Sequence, residues 1–155
     1  MPKIDVAAVP ETRRCGYPAP FHEPCRDRVR KALGDAAGLT QFGVNLLTLG
    51  PGAWSSQRHW HTEEDEFVYV LSGEVTLVTD AGEMLLKPGD CAAFAKADGN
   101  GHHLVNRSKS PVTVLEIGSR IAGDGAHYPD IDMLWDGKTE RYTHRDGTPY
   151  PKREG

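Results

Sequence analysis

The segment GAWSSQRHWHTEEDEFVYVLSG, Gly52 to Gly73, places a His-x-His pair and then a glutamate between two glycines. In an extended strand side chains alternate between faces, so His59 and His61 point the same way, about 6.6 Å apart along the strand. Two imidazoles so placed can converge on one ion. Glu66 follows His61 at an odd offset, which in an uninterrupted strand would send it to the opposite face. A turn must therefore intervene. Thr62, Glu63, Glu64 and Asp65 provide polar residues for it, after which Glu66 opens a new apolar strand, Phe67 to Leu71. A later histidine, His102 in GNGHHLVN, would complete a set of three imidazoles and one carboxylate drawn from neighbouring strands of a closed or folded sheet. Such donors suit zinc, iron, nickel or manganese, so His59, His61, Glu66 and His102 are expected to bind one divalent ion.

The flanking sequence repeats the strand pattern. Short apolar runs at 43–49, 56–61, 66–71, 74–79, 83–86, 91–95, 102–106 and 112–117 are separated by Gly, Pro, Asp or Ser turns. That spacing predicts an all-β sandwich or barrel rather than βαβ units, and eight strands fit a jelly roll. Ser72-Gly73, Asp80-Ala81-Gly82 and Lys87-Pro88-Gly89-Asp90 each bring a residue that presets or tolerates a turn dihedral. With Glu66 inward, Val68 and Val70 should line the interior, while Phe67, Tyr69 and Leu71 face the other side. Trp60 should also face outward. Asn106, four residues after His102, would share its face, either as a hydrogen-bond partner behind the ligands or as a turn cap.

Residues 1–21 are Pro-rich and read as an irregular arm. From Pro24 to Gly34 the pattern predicts one short helix, with Val29 and Leu33 at i, i+4 and Gly34 at its C-terminal end. Arg26, Arg28, Arg30 and Lys31 would form its solvated face. From Gly123 onward the chain is rich in Gly, Pro and Asp yet keeps Tyr128, Ile131, Met133, Leu134, Trp135 and Tyr142, too many large apolar groups for an unstructured tail. It is expected to wrap the barrel or a partner subunit. Asp130 and Asp132 read as solvated turn carboxylates. The expected division is an arm and short helix over 1–42, a barrel core over 43–118 and a C-terminal extension over 119–155.

At 155 residues the chain has one domain's length, and its net charge of −4 includes no like-charge block beyond Glu63 to Glu66. Nothing in it suggests nucleic acid or an anionic membrane as a partner. The N-terminal residues lack the apolar stretch of a signal peptide, and no run approaches the roughly 18 apolar residues of a membrane span. The expected location is cytoplasmic. Cys15, Cys25 and Cys91 are odd in number and lack CxxC spacing, which supports neither a disulfide framework nor a cysteine zinc site. Cys91 is expected to enter a strand as a small buried thiol.

Gly52, His59, His61, Glu66 and Gly73 resemble the first motif of the cupin superfamily. Gly82, Pro88, Gly89, Gly99, His102 and Asn106 resemble the second. By position His102, not His103, falls on the ligand histidine. The resemblance covers roughly residues 43–118, and the continuation GSRIAGDGAHYPDIDM is similar to a bacterial group of small cupins known as sugar-phosphate-isomerase-like. It implies a double-stranded β-helix jelly roll, a single metal in its mouth and a homodimer. Two departures stand out. Six residues rather than five separate Gly52 from His59, and Lys96-Ala97-Asp98-Gly99 replaces the Pro-x-Gly that ordinarily precedes the second-motif histidine.

Three imidazoles and one carboxylate would leave a divalent ion with one net positive charge and, if six-coordinate, two positions for water or substrate. Such an ion can act as a Lewis acid on a carbonyl or hydroxyl, and iron can also bind oxygen. Three functions stay open. The leading one is an enzyme acting on a small polar, sugar-like substrate by metal-assisted proton transfer, of isomerase or lyase type. The others are an iron-dependent dioxygenase and a non-catalytic cupin that binds a metal or small ligand as a sensor. No attached helix-turn-helix is visible, and no general base emerges beyond the metal shell.

Overall fold

The alternation of the central strands is resolved by pairing in the computed structural model, which describes residues 3–152. The strands are β1 (Glu11–Thr12), β2 (Arg28–Ala32), β3 (Phe42–Leu49), β4 (Trp60–His61), β5 (Glu66–Ser72), β6 (Val75–Thr79) and β7 (Gly82–Leu86). They continue with β8 (Cys91–Phe94), β9 (His103–Val105), β10 (Val112–Ser119), β11 (Gly125–Tyr128), β12 (Met133–Asp136) and β13 (Arg141–Thr143). A six-stranded sheet runs β1-β2-β3-β10-β5-β8, and a three-stranded sheet runs β7-β6-β9. Leu47, Val68, Val70, Val112 and Val114 of the first sheet and Val75, Leu77 and Leu104 of the second form one buried core. This is the all-β double-stranded β-helix, a jelly roll whose inward faces supply that core.

Register sets the layers. Val112 faces Leu49, Val114 faces Leu47 and Val70, Glu116 faces Asn45 and Val68, and Gly118 faces Gly43 and Glu66. Because residues two apart share a face, the inward row changes from apolar at one end of the sheet to polar at the other. Glu66 and Glu116 therefore sit toward the open end. Gly73, in the turn after β5, has φ +76°, and a Cβ there would lie 2.8 Å from the Pro111 carbonyl oxygen, so only glycine fits.

The predicted helix over 24–34 is displaced. The chain makes a 3-10 turn at Glu23–Cys25, then β2, and only then the short helix α1, Leu33–Ala36, which contains Gly34 instead of ending there. Residues Arg28 to Ala32 pair with Leu49 to Asn45 of β3, satisfying a strand edge that a helix would leave bare. The basic cluster is consequently not a solvated helix face. Arg28 is buried with its guanidinium on the Ser55 carbonyl, and Arg30 is held by Glu116.

Two other expectations change. Of the run 56–61 only Trp60–His61 is strand, because Ser55, Ser56 and Gln57 are buried in a loop where Gln57 Nε2 donates to the Phe21 carbonyl at 2.6 Å. Cys91 is exposed, since it faces Tyr69 across β5 and shares that residue's outward side.

The C-terminal strands form a third sheet, β13-β12-β11-β4, joined to the barrel because Ala126 pairs with His61 and His127 with Trp60. Tyr128 and Met133 from this extension pack with Tyr17 and Cys25 from the N-terminal arm in a second core. Trp60 turns away from the two histidines beside it and stacks on His127 at 4.3 Å. Asp130 and Asp132 are paired turn carboxylates, Asp130 with Arg58 and Asp132 with His144. Among the described residues, no helix is long and apolar enough to cross a membrane.

Candidate metal centre

His61 lies on β4 and Glu66 at the start of β5, with the polar residues 62–65 turning the chain between them. His59 and His102 sit just outside their strands and form a two-way backbone bridge, His59 N to His102 O at 3.1 Å and His102 N to His59 O at 2.8 Å. All four predicted ligands meet at one place. His59 Nε2 and His61 Nε2 are 3.2 Å apart, and each is 3.6 Å from Glu66 Oε2. His102 Nε2 lies 2.7 Å from the same oxygen. The missing proline before His102 has not moved the register, since His103 points elsewhere, donating Nδ1–H to the Ser56 carbonyl at 2.9 Å.

The hydrogen bonds behind the rings set their tautomers. His59 Nδ1 lies 2.8 Å from the Gln57 carbonyl oxygen and His61 Nδ1 lies 2.6 Å from Asp124 Oδ2, so in both rings Nδ1 carries the hydrogen. Their Nε2 lone pairs then face one another across 3.2 Å beside a carboxylate. Three acceptors converging on one point repel unless a proton or a cation lies between them. His59, His61 and Glu66 offer ligand atoms all within 4.8 Å of one another, and His102 reaches the group through Glu66. His102 stacks flat on Phe94 at 3.5 Å, which fixes its ring plane, and its buried Nδ1 has no partner among the described residues. The donor set fits a divalent ion of the zinc, iron, manganese or nickel type.

The cluster shares charge between its carboxylate and its imidazoles. Burial pushes the Glu66 carboxyl up, but hydrogen bonds from His102 and His59, with the charge on His59 and His61, outweigh it and hold the group well below the usual range. Burial lowers His59, yet Glu66 more than compensates and its net shift is upward. His102 shifts downward, chiefly through burial. A metal requires the carboxylate and neutral imidazoles, so Glu66 and His102 are shifted toward those forms, while at His59 an ion would displace a proton that Glu66 favours.

The cluster forms one wall of a cavity of about 410 Å³ that is open to solvent. Tyr17, Arg30, Glu116, Tyr128, Trp135 and Tyr142 also line it. Burial, followed by neighbouring phenols, raises Tyr17 and Tyr128, and burial pushes Tyr142 up to about 12. All three remain neutral hydroxyl donors near neutral pH. Glu116 could have been found from sequence, because it continues the inward parity of Val112 and Val114. Arg30 was hidden by the helical reading. Asp124 and the three tyrosines come from segments with no strand periodicity to place them. Asn106 is fully buried away from the cluster, donating to the carbonyls of Leu49 at 2.9 Å and Ser110 at 2.8 Å, which makes it a turn cap.

A family model described as Cupin domain matches residues 45–118. The chain is similar to a cupin-superfamily sugar phosphate isomerase of Silicibacter pomeroyi DSS-3, at 44% identity over 97% of each chain with a TM-score of 0.93. A protein of Acidithiobacillus ferrooxidans with a provisional sugar phosphate isomerase description is 34% identical over 75% of this chain and 74% of its own, with a TM-score of 0.71. The polyketide cyclase RemF of Streptomyces resistomycificus, at 20% identity over 77% and 79% and a TM-score of 0.63, shares the fold. No curated protein matches the chain.

Proposed function

The chain belongs to the cupin superfamily, and on that premise we propose that it is a metal-dependent enzyme moving a proton on a small polar, sugar-like hydroxy-carbonyl substrate, in a reaction of isomerase or lyase type. One observation carries this reading. The imidazole lone pairs of His59 and His61 and the Glu66 carboxylate converge on the wall of an open cavity of mixed polar and apolar lining, where a purely structural site would be sealed. The descriptions of the two relatives above 30% identity point to the same substrate class.

His59, His61, Glu66 and His102 would hold the ion, which when bound supplies Lewis acidity to a hydroxyl or carbonyl oxygen. The remaining work falls to the chain's own groups. Tyr17, Tyr128 and Tyr142 bring neutral phenols, hydrogen-bonded to one another through Tyr128, to the cavity lining, and their rings exclude water from that side. Arg30 and Glu116 form a charge-balanced pair on the cavity lining, offering donors and acceptors to a polyhydroxylated compound without a net charge. The homodimer implied by the resemblance belongs to the same proposal, and sedimentation that shows a monomer at all concentrations would remove it.

The test is a panel of hydroxy-carbonyl compounds and sugar phosphates with metal-reconstituted protein, run anaerobically and in air beside a Glu66→Gln control. Turnover without oxygen that is lost in the control supports the proposal. Oxygen-dependent turnover transfers it to an iron dioxygenase, and tight binding without turnover across the panel transfers it to a non-catalytic binding cupin.

A further inference from the structure

The strands that supply the ligands do not by themselves orient them. Asp124 lies in the loop before β11, outside the residues matched by the family model, and is buried beside β4. Its Oδ2 accepts from His61 Nδ1 at 2.6 Å, while its Oδ1 accepts from the Glu63 amide at 2.8 Å and more weakly from Thr62 Oγ1 at 3.4 Å. The carboxylate is thereby anchored at one oxygen and free to brace the imidazole with the other. His61, Glu64 and Asp124 also form a compact donor group, but Glu64 Oε1 is engaged by the Ile121 amide at 2.8 Å and the Asp124 oxygens are already spoken for. The same extension touches the second imidazole, since Tyr128 on β11 stacks against His59 at 5.7 Å.

We propose that Asp124 is a positioning residue for the metal centre: the C-terminal extension fixes the tautomer and direction of His61, so that its Nε2 lone pair faces the ion. The inference rests on the metal reading of the site. Its physical content is that a carboxylate can only accept, so the imidazole hydrogen is held on Nδ1 and ligand basicity rises at Nε2. An asparagine in the same place can turn its amide nitrogen toward His61. The ring must then accept at Nδ1 and carry its hydrogen on Nε2, which faces the ion and can no longer bind it. Residues in this supporting role ordinarily change metal affinity by about 10–100-fold when replaced.

The experiment compares wild type with Asp124→Asn, a change that keeps volume and the acceptor for the Glu63 amide. Zinc affinity is measured by competition with a chelating dye, and the His61 tautomer by nitrogen NMR of histidine-labelled, metal-free protein. The expected result is a wild-type His61 protonated at Nδ1, a shift of the proton to Nε2 in the variant, and a loss of about 10–100-fold in zinc affinity at an unchanged thermal midpoint of the metal-free protein. Equal zinc affinity in the two proteins, or a variant that keeps Nδ1–H, overturns the proposal. If the variant does not fold, the wild-type spectrum alone decides, because a metal-free His61 protonated at Nε2 is incompatible with it. Wild-type protein that binds no zinc, cobalt, iron, manganese or nickel overturns the metal reading itself, and this inference with it.

Discussion

Arg30 on β2 grips both carboxylate oxygens of Glu116 on β10 across the intervening strand β3, Nε to Oε2 at 2.8 Å and Nη2 to Oε1 at 3.1 Å. The pair ties the strand that had read as a helix to the central strand of the sheet, and does so on the cavity lining. Its side chains are 27% and 19% exposed, so its energetics lie between those of a surface pair and a buried one. Glu116→Ala leaves a half-buried guanidinium without its partner and should cost roughly 1–3 kcal/mol in urea denaturation. The double change Arg30→Met with Glu116→Leu should cost less than that single change. A double variant less stable than Glu116→Ala would show that the pair contributes more than removal of the unpaired charge explains.

Adjacent residues of an extended chain face opposite sides, so His102 and His103 cannot both serve the site. His102 reaches Glu66, whereas His103 donates to the Ser56 carbonyl and meets Trp54 edge-on at 4.7 Å. His103→Ala should keep metal content and lose some stability, and His102→Ala should lose metal. The reverse pattern in elemental analysis of the two variants would mean that the strand slips by one residue in solution.

The convergence of His59, His61, Glu66 and His102 could be read from sequence because it depends on local parity and on one turn. His59 and His61 share a face by spacing, and the polar run 62–65 had to reverse the chain before Glu66. The segment 24–34 was ambiguous for a physical reason. Arg28, Arg30 and Ala32 at period two, and Val29 and Leu33 at i, i+4, satisfy strand and helix patterns at once, and the open edge of β3 decides between them. Asp124 was beyond reach altogether. It meets His61 across 63 residues of sequence, and no pattern within its own loop indicates that contact.

Gly73 tests the turn that closes the first motif. Any side chain there must adopt φ +76° and push against the Pro111 carbonyl oxygen, 2.8 Å from where its Cβ would lie. Gly73→Ala should destabilise by at least about 1–3 kcal/mol, read as a lower thermal midpoint. A midpoint within experimental error of wild type would show that the β5–β6 turn relaxes without cost.

Arg58 joins the C-terminal extension to the barrel, donating to Asp130 at 2.7 and 2.8 Å, to the Gly101 carbonyl at 3.1 Å and to Asp80. Its guanidinium holds the Asp130 carboxyl below the ordinary carboxylate range. The sign follows directly. A depressed folded-state value means that the pair's stabilisation is present above the unfolded value, near about 3.9, and is lost as pH falls through the folded one. Asp130 is largely exposed, so the contribution should be no more than about 1 kcal/mol. The stability difference between wild type and Asp130→Asn should be flat from about pH 5 upward and shrink below about pH 4. A difference that grows on acidification contradicts the assignment.

Metal binding to the native fold must also appear as stability, because an ion that binds the folded chain and not the unfolded one shifts the equilibrium by mass action. At a free concentration of 100 times the dissociation constant the gain is about 2.7 kcal/mol. Protein stripped by a chelator and then titrated with zinc should therefore rise in thermal midpoint, and once the site is filled the rise should continue in proportion to the logarithm of free zinc. The ligand geometry identifies which residues carry the effect: His59 and His61 place their Nε2 atoms 3.2 Å apart, so neither alone defines the site. His59→Ala combined with His61→Ala should abolish the shift while leaving the core of Leu47, Val70 and Val114 intact. A zinc-dependent rise of undiminished size in that double variant would place the ion elsewhere on the molecule.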